Sequence, residues 1–274
     1  MANNNDEMNF LEHLEVLRWH LIRSIIAIVL VAIIAFIYRE IIFDQIILAP
    51  KMSSFITNRL FCDFANYIGS PSICINNQPF QIINIKMAGQ FSTHISVSII
   101  AGFVIAFPYI FWEIWRFFKP ALYSKEVKHA RGAVFFTSIL FSFGVAFGFY
   151  LIAPLSVHFL GGYAVSNQVV NQIDIESYIG TITSVVLASG VVFELPMVIY
   201  FLSKIGLVTP QFLKTYRRHA IVLILILAAI ITPPDIFSQI LVGLPLIALY
   251  ELGIVISKRV YKKQQAEYGL TPVK

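Results

Sequence analysis

Two carboxylates stand where a carboxylate has chemistry to do. Glu126 lies in the stretch Phe117 to Arg131, FFKPALYSKEVKHAR, with Lys119, Lys125, Lys128 and Arg131 around it. An acid in an exposed basic hairpin is either a solvated charge balancing its neighbours or a receiver for a cationic ligand. Side-chain chemistry alone leaves both readings open. Glu194 is different, because it sits inside the apolar run from Tyr178 to Ser203. Placing an ionised group at mid-span costs ~2.5 to 3.5 kcal/mol, so such residues face protein or water. Thr183, Leu187 and Gly190 fall on its helical face, which makes that face either the lining of an interior cavity or a packing surface with a protonated or interhelically bonded acid.

The elements that must hold these acids are membrane spans. Of 274 residues, 58% are hydrophobic and 13% charged, and the mean hydropathy is +0.77, against about 45 to 50% apolar and about 25% charged in soluble domains. Uncharged runs of about 20 residues recur, the length that crosses a ~30 Å hydrocarbon layer. The spans expected are Leu21 to Tyr38, His94 to Trp115 with an interruption at Pro108, Gly132 to Leu155, Tyr178 to Ser203, Ala220 to Thr232 and Ile236 to Ile256. The fifth supplies about 20 Å of helix at 1.5 Å per residue, so the last two helices are expected to be short and to stop before the far surface, thinning the bilayer or leaving a groove. The fold class is an all-α polytopic membrane protein with six transmembrane helices.

Lysine and arginine fix the orientation. With both termini and the two basic loops on one side, that side holds 16 of the 20 Lys and Arg residues, and the positive-inside rule makes it the cytoplasm. The other four, Arg39, Lys51, Arg59 and Lys86, are spread through one long loop. The net charge of +5 and pI near 9.1 therefore reflect topology, and no nucleic-acid partner is expected. The chain reads as a single membrane domain, 1–274, with a cytoplasmic amphipathic segment at 1–20 and an external loop at 39–93. Cytoplasmic loops follow at 117–131 and 204–218, with a basic tail at 257–274. The N-terminus carries acids where a secretory signal carries bases, so the first span is expected to be retained.

Glu113 and Glu251 lie near cytoplasmic ends of spans and read as headgroup contacts; Asp235, after Pro233 and Pro234, reads as a helix N-cap. Gly144 and Gly148 form a GxxxG, a motif of close helix packing. Cys62 and Cys74 fall in the external loop, where thiols can be oxidised. A disulfide is favoured over two buried thiols, and in the chain-entropy model it would contribute about 3 kcal/mol. The six histidines show no HxxH or HExxH spacing, so no metal site is expected. GxSxG, Walker and dinucleotide motifs are absent too, and neither cofactor nor enzyme activity is expected.

Taken together, several motifs resemble a known family. HLEVLR at His13 to Arg18, LAP at Leu48 to Pro50, RFFKPALYSKE at Arg116 to Glu126, FELP at Phe193 to Pro196 and TPPDIFSQ at Thr232 to Gln239 are similar to signatures of TatC, the polytopic subunit of the twin-arginine protein translocase. The resemblance runs over essentially the whole chain. It implies a receptor in the bacterial cytoplasmic (inner) membrane for twin-arginine signal peptides on folded cargo. It also implies TatA- and TatB-like single-span partners, contact with membrane lipids, and homo-oligomers within a larger complex.

By the same resemblance, Glu126 matches the family's loop acid, and Arg18, Phe117 and Lys119 belong to the signal-peptide site. The family's N-terminal glutamate falls at Val16 here, and a shift of one residue turns a side chain by about 100°. Glu12, one turn before Val16, or Glu15 would replace it. Glu194, Gln239, Asp235 and Pro50 match positions toward a cavity where partner helices would dock. An exposed ion pair contributes only ~0.2 to 1 kcal/mol and a sheltered charge-assisted hydrogen bond ~1.5 to 3, so two sheltered acids would be required. The rival reading is an ion-coupled small-molecule secondary transporter using Glu194, for which internal repeats are the usual sign; none is evident.

Overall fold

The computed structural model describes residues 10–70, 74–76, 80–118, 130–166, 168, 171–232 and 236–268. The side chains of 10–13, 118, 130–131, 236–238 and 266–268 fall outside that description. Glu126, Lys119 and Asp235 lie outside the described residues, and Glu12 is described only as backbone. The chain divides into two compact units.

The first unit comprises residues 1–39 and 94–138. It contains α1 (Phe10–Ile37), most of α3 (Gly89–Phe118) and the first half of α4 (Ala130–Phe147). The expected span beginning at Leu21 is longer in the structure, because Leu11, Leu14, Val16 and Leu17 carry the apolar pattern back toward the N-terminus. Pro108 was expected to interrupt the second span, yet α3 runs through it. Proline removes one backbone bond and kinks a helix without ending it when the flanking residues are strong span formers.

In this unit α1 and α3 run side by side, antiparallel, and touch at three heights. Gly102 approaches so closely that a Cβ there would lie 2.6 Å from the Ile28 carbonyl oxygen and 3.0 Å from Ala32 Cβ. At one end, the Phe36 and His94 rings stack at 3.8 Å, with His94 Nε2 3.1 Å from the Phe36 carbonyl oxygen. At the other, His20 meets Glu113. Lipid tails are as apolar as the side chains they replace, so helix association in a bilayer leans on such close backbone approach and polar contacts.

The second unit comprises residues 40–93 and 139–274. The long loop between the first two spans contains α2 (Ile56–Ile68). A disulfide joins Cys62 to Cys74. Asn58, with no exposed surface, donates to the carbonyls of Pro50 at 2.9 Å and Met52 at 2.7 Å. Asn76 donates to Pro50, to Asn58 Oδ1 and, at 3.0 Å, to the Pro154 carbonyl, while its own N–H donates to His158 Nδ1 at 3.2 Å. Its φ of 51° is a backbone state that asparagine tolerates better than most residues. The Pro50 carbonyl therefore anchors the loop.

Beyond the second half of α4, a wide helical turn at Gly148–Ile152 precedes α5 (Ala153–Gly162). It falls where Pro154 lacks the N–H that a regular turn would use. A parallel pair, β1 (Ile82–Ile83) with β2 (Ile173–Asp174), leads into α6 (Ile175–Phe193), whose first turn is capped by the Asp174 carboxylate. Pro196 then breaks the span at Glu194, and α7 (Leu195–Lys204) continues it. α8 (Pro210–Thr215), α9 (Arg217–Ile231) and α10 (Ile236–Tyr268) complete the chain.

Among the described residues, five segments are long and apolar enough to span: 14–37, 89–117, 132–162, 175–204 and 239–265. α9, at 15 residues, is short as expected and reaches only about 22 Å. The last helix corrects the expectation. It is 33 residues long, because Lys, Gln, Glu and Ala in the basic tail are good helix formers and carry it past Ile256.

The GxxxG glycines of α4 and its following turn pack on α6. A Cβ at Gly144 would lie 2.6 Å from the Ser189 carbonyl oxygen, and one at Gly148 2.9 Å from Ser189 Cβ. Gly190 faces back onto Phe141 and Val145. α10 packs along α7, α8 and α9, where Tyr250 donates to the Leu213 carbonyl at 2.8 Å and Ser203 bonds Ser257 at 2.8 Å.

Candidate functional site

The acids and bases of the first unit gather at the ends of α1 and α3. α1 opens with an apolar-and-acidic stretch in which Glu15, Val16 and Arg18 are all exposed. Glu15 makes no ion pair with another described residue. Arg18 lies with its guanidinium 5.8 Å from the neighbouring Trp19 ring. Phe117, in the last turn of α3, presents its ring edge-on to His20 at 6.3 Å.

Between these groups sits an acid that was expected to contact headgroups. The Glu113 side chain is 1% exposed, so it has no headgroup access, and both of its oxygens are occupied. Oε2 pairs with His20 Nδ1 and lies 4.0 Å from Arg23. Oε1 accepts from the Tyr109 hydroxyl at 3.0 Å and from Arg116 at 3.4 Å. Arg23 and Arg116 remain about half-exposed, and Arg116 also lies 4.9 Å over the Trp112 ring. A buried carboxylate is tolerable only when paired and hydrogen-bonded, and this one has four partners on two helices. Tyr109, Glu113 and Arg116 share one helix face by their spacing, as do His20 and Arg23. That spacing was the signal available in the sequence.

Glu194 occupies the break between α6 and α7, where Pro196 cannot bond back to Val192. It is half-buried; Oε1 is buried without a hydrogen-bond partner among the described residues. Thr183 and Gly190 on the same face are buried. Thr183 bonds its own helix at Ile179, and Gly190 is filled by Phe141. Gln239 is half-buried and donates to the Leu225 carbonyl of α9 at 3.3 Å. Glu251, also expected at headgroups, forms an ion pair with Arg217 at 2.5 Å.

A cavity of about 380 Å³ opens elsewhere, among Phe80, Ser156, Asp174, Ser177, Tyr178 and Thr181. Neither Glu194 nor Gln239 lines it. Among the described residues, no group of His, Cys, Asp and Glu could hold a metal ion.

Long apolar helices with few charges define a multi-pass helical membrane protein. The family Sec-independent protein translocase protein (TatC) matches residues 12–245, and the chain belongs to it. A TatC protein of Blattabacterium sp. subsp. Periplaneta americana is 41% identical over 266 residues, covering 96% of this chain and 100% of that protein. That of Aquifex aeolicus is 31% identical over 259 residues, 94% of this chain and 98% of its own. A crystal structure of the twin arginine translocase receptor TatC superposes with a TM-score of 0.67 at 31% identity, covering 91% of this chain and 100% of that one. A second, in the detergent DDM, gives 0.69 over 90% and 99%. The chain is therefore a twin-arginine translocase component, a membrane protein of protein transport and not an enzyme. The small-molecule transporter reading is not favoured.

Proposed function

We propose that this chain is the signal receptor of its translocase, binding twin-arginine signal peptides and gathering TatA- and TatB-like single-span proteins around itself. In this reading it crosses a bacterial inner membrane six times, α9 supplying the short fifth passage, with both termini in the cytoplasm. Glu126 pairs with one signal guanidinium and Glu12 or Glu15 with the other, beside Arg18, Phe117 and Lys119. Glu194 and Gln239, with Asp235 and Pro50 nearer the opposite surface, belong to the partner-docking side of a homo-oligomeric complex.

The supporting observation is Glu15. It is an exposed acid, unpaired among the described residues, on the helix that is pinned beside α3 close to Phe117. Arginine suits such a site because its planar fork can hold a carboxylate bidentately. Photo-crosslinking of a twin-arginine precursor in membrane vesicles tests the reading. Glu126→Ala is expected to reduce the crosslink about ten-fold or more, the worth of one charge-assisted hydrogen bond. Glu12→Lys and Glu15→Lys, made separately, identify the second acid by which one does the same. Undiminished crosslinking in Glu126→Ala refutes the assignment.

A further inference from the structure

The cluster around Glu113 lies one helical turn from Phe117, and the signal-receptor reading makes no use of it. We infer that Glu113 is a positioning residue: gripping His20, it sets the height and rotation at which the N-terminal end of α1 is presented beside the end of α3. The inference rests on the receptor reading above.

Of the five spans, α1 is the least covered by protein, and its contacts with α3 fall at three levels. The Gly102 approach is mid-span and the Phe36 and His94 stack is at the far end. The near end, which carries Glu15 and Arg18, is fixed to α3 by His20 and Glu113, with Arg23 as a longer-range neighbour. Ser24 Oγ bonds back to the His20 carbonyl at 2.9 Å, spending its hydroxyl on its own helix. Removing the carboxylate takes from this end of α1 its hydrogen-bonded contact with α3 and leaves the edge-on His20 and Phe117 rings and apolar packing, which in lipid confer little preference for one helix rotation over another. A rotation of one residue would turn Glu15 by about 100°.

Both oxygens of the pin are occupied. Tyr109 and Arg116 on α3 occupy the second oxygen, which leaves the first to His20 and Arg23 on α1. Glu113 is thus bonded on both sides and would not be freed to meet a signal arginine directly. Its influence on recognition passes through the helix it holds.

Two measurements on the full chain in native membranes test this. Spin labels at the exposed positions Leu14 and Trp112 report the α1 to α3 separation without any precursor, and a photo-crosslinker at Leu14 reports contact with a twin-arginine precursor. Glu113→Ala and His20→Ala are expected to broaden the distance distribution and to cut the Leu14 crosslink about ten-fold, equivalent to ~1.4 kcal/mol. The double variant should be no worse than either single one, since the two residues make one contact. His20→Arg, which places N–H donors within reach of Glu113, should preserve both readouts. If Glu113→Ala accumulates poorly, Glu113→Gln and His20→Arg carry the comparison. An unchanged distance distribution overturns the inference, as does a broadened one with full crosslinking. Glu126→Ala separates the two claims: undiminished crosslinking there defeats the receptor reading, whatever the distances show.

Discussion

Replacing Asn58 by aspartate exchanges one nitrogen for one oxygen and should be among the most damaging small changes in the second unit. Asn58 is fully buried, and its amide nitrogen donates to the Pro50 and Met52 carbonyls while its oxygen accepts from Asn76. In Asn58→Ala the two donated bonds vanish, each worth about 1 kcal/mol. The bond accepted from Asn76 goes too, for a total of about 3 kcal/mol, while the Met52 carbonyl keeps the Phe55 N–H and the Asn76 nitrogen keeps the Pro50 and Pro154 carbonyls. Asn58→Asp keeps the volume and the bond from Asn76 but turns the donor into an acceptor facing two carbonyls. An ionised group there adds several kcal/mol of desolvation, so it should be the worse variant despite its closer shape. Thermal unfolding in detergent, followed by circular dichroism, reads the difference. At roughly 2 to 3 °C per kcal/mol for a chain of this size, Asn58→Ala should lower the midpoint by about 6 to 9 °C and Asn58→Asp by more. A variant Asn58→Asp as stable as the parent, or a milder effect from Asp than from Ala, would refute the hydrogen-bond reasoning.

Other outcomes follow from the same contacts. Gly144→Leu should destabilise the second unit by more than the ~1 to 3 kcal/mol of ordinary overpacking, because its Cβ meets the Ser189 backbone at 2.6 Å; the loss would appear as a lowered midpoint, and an unchanged one would contradict the close α4 to α6 packing. Glu194→Ala should disturb partner association, seen as altered complex size on native gels, more than signal crosslinking; normal complex size with normal export would count against a docking role. Lys86 is exposed, and its hydrogen bond to Glu176 raises its ammonium above lysine's usual 10.5. The pair is thus fully formed at neutral pH and is lost only as pH rises through that elevated value. Exposed pairs contribute little, so Lys86→Met should leave the unfolding midpoint unchanged within error, and a large drop would show an unrecognised role.

Spans were legible because uncharged length is a direct physical requirement of the bilayer. Where the reading erred, a local rule had yielded to context. Pro108 sits inside α3 without ending it, and the polar residues after Ile256 extend α10, since a loss of hydrophobicity does not end a helix whose residues still favour it. Gly144 and Gly148 were visible as a motif, yet their partner Ser189 was not, because spacing on one helix says nothing of which helix faces it. For the same reason Glu113 read as a headgroup contact. Its helix neighbours Tyr109 and Arg116 were within sight, but His20 is distant in sequence and only packing brings it near. Asn58 and Asn76 were invisible as a pair, since loop asparagines are common and the acceptor they share is the backbone carbonyl of Pro50.

In the proposed receptor, acids near the inner headgroups hold two guanidiniums. Binding of a fluorescent signal peptide to the purified chain tests this directly, comparing an Arg-Arg peptide with its Lys-Lys counterpart on the parent and on Glu126→Gln. The parent should favour Arg-Arg by about ten-fold or more, and Glu126→Gln should erase most of that preference. Equal affinity for the two peptides on the parent, or an undiminished preference in Glu126→Gln, would contradict it.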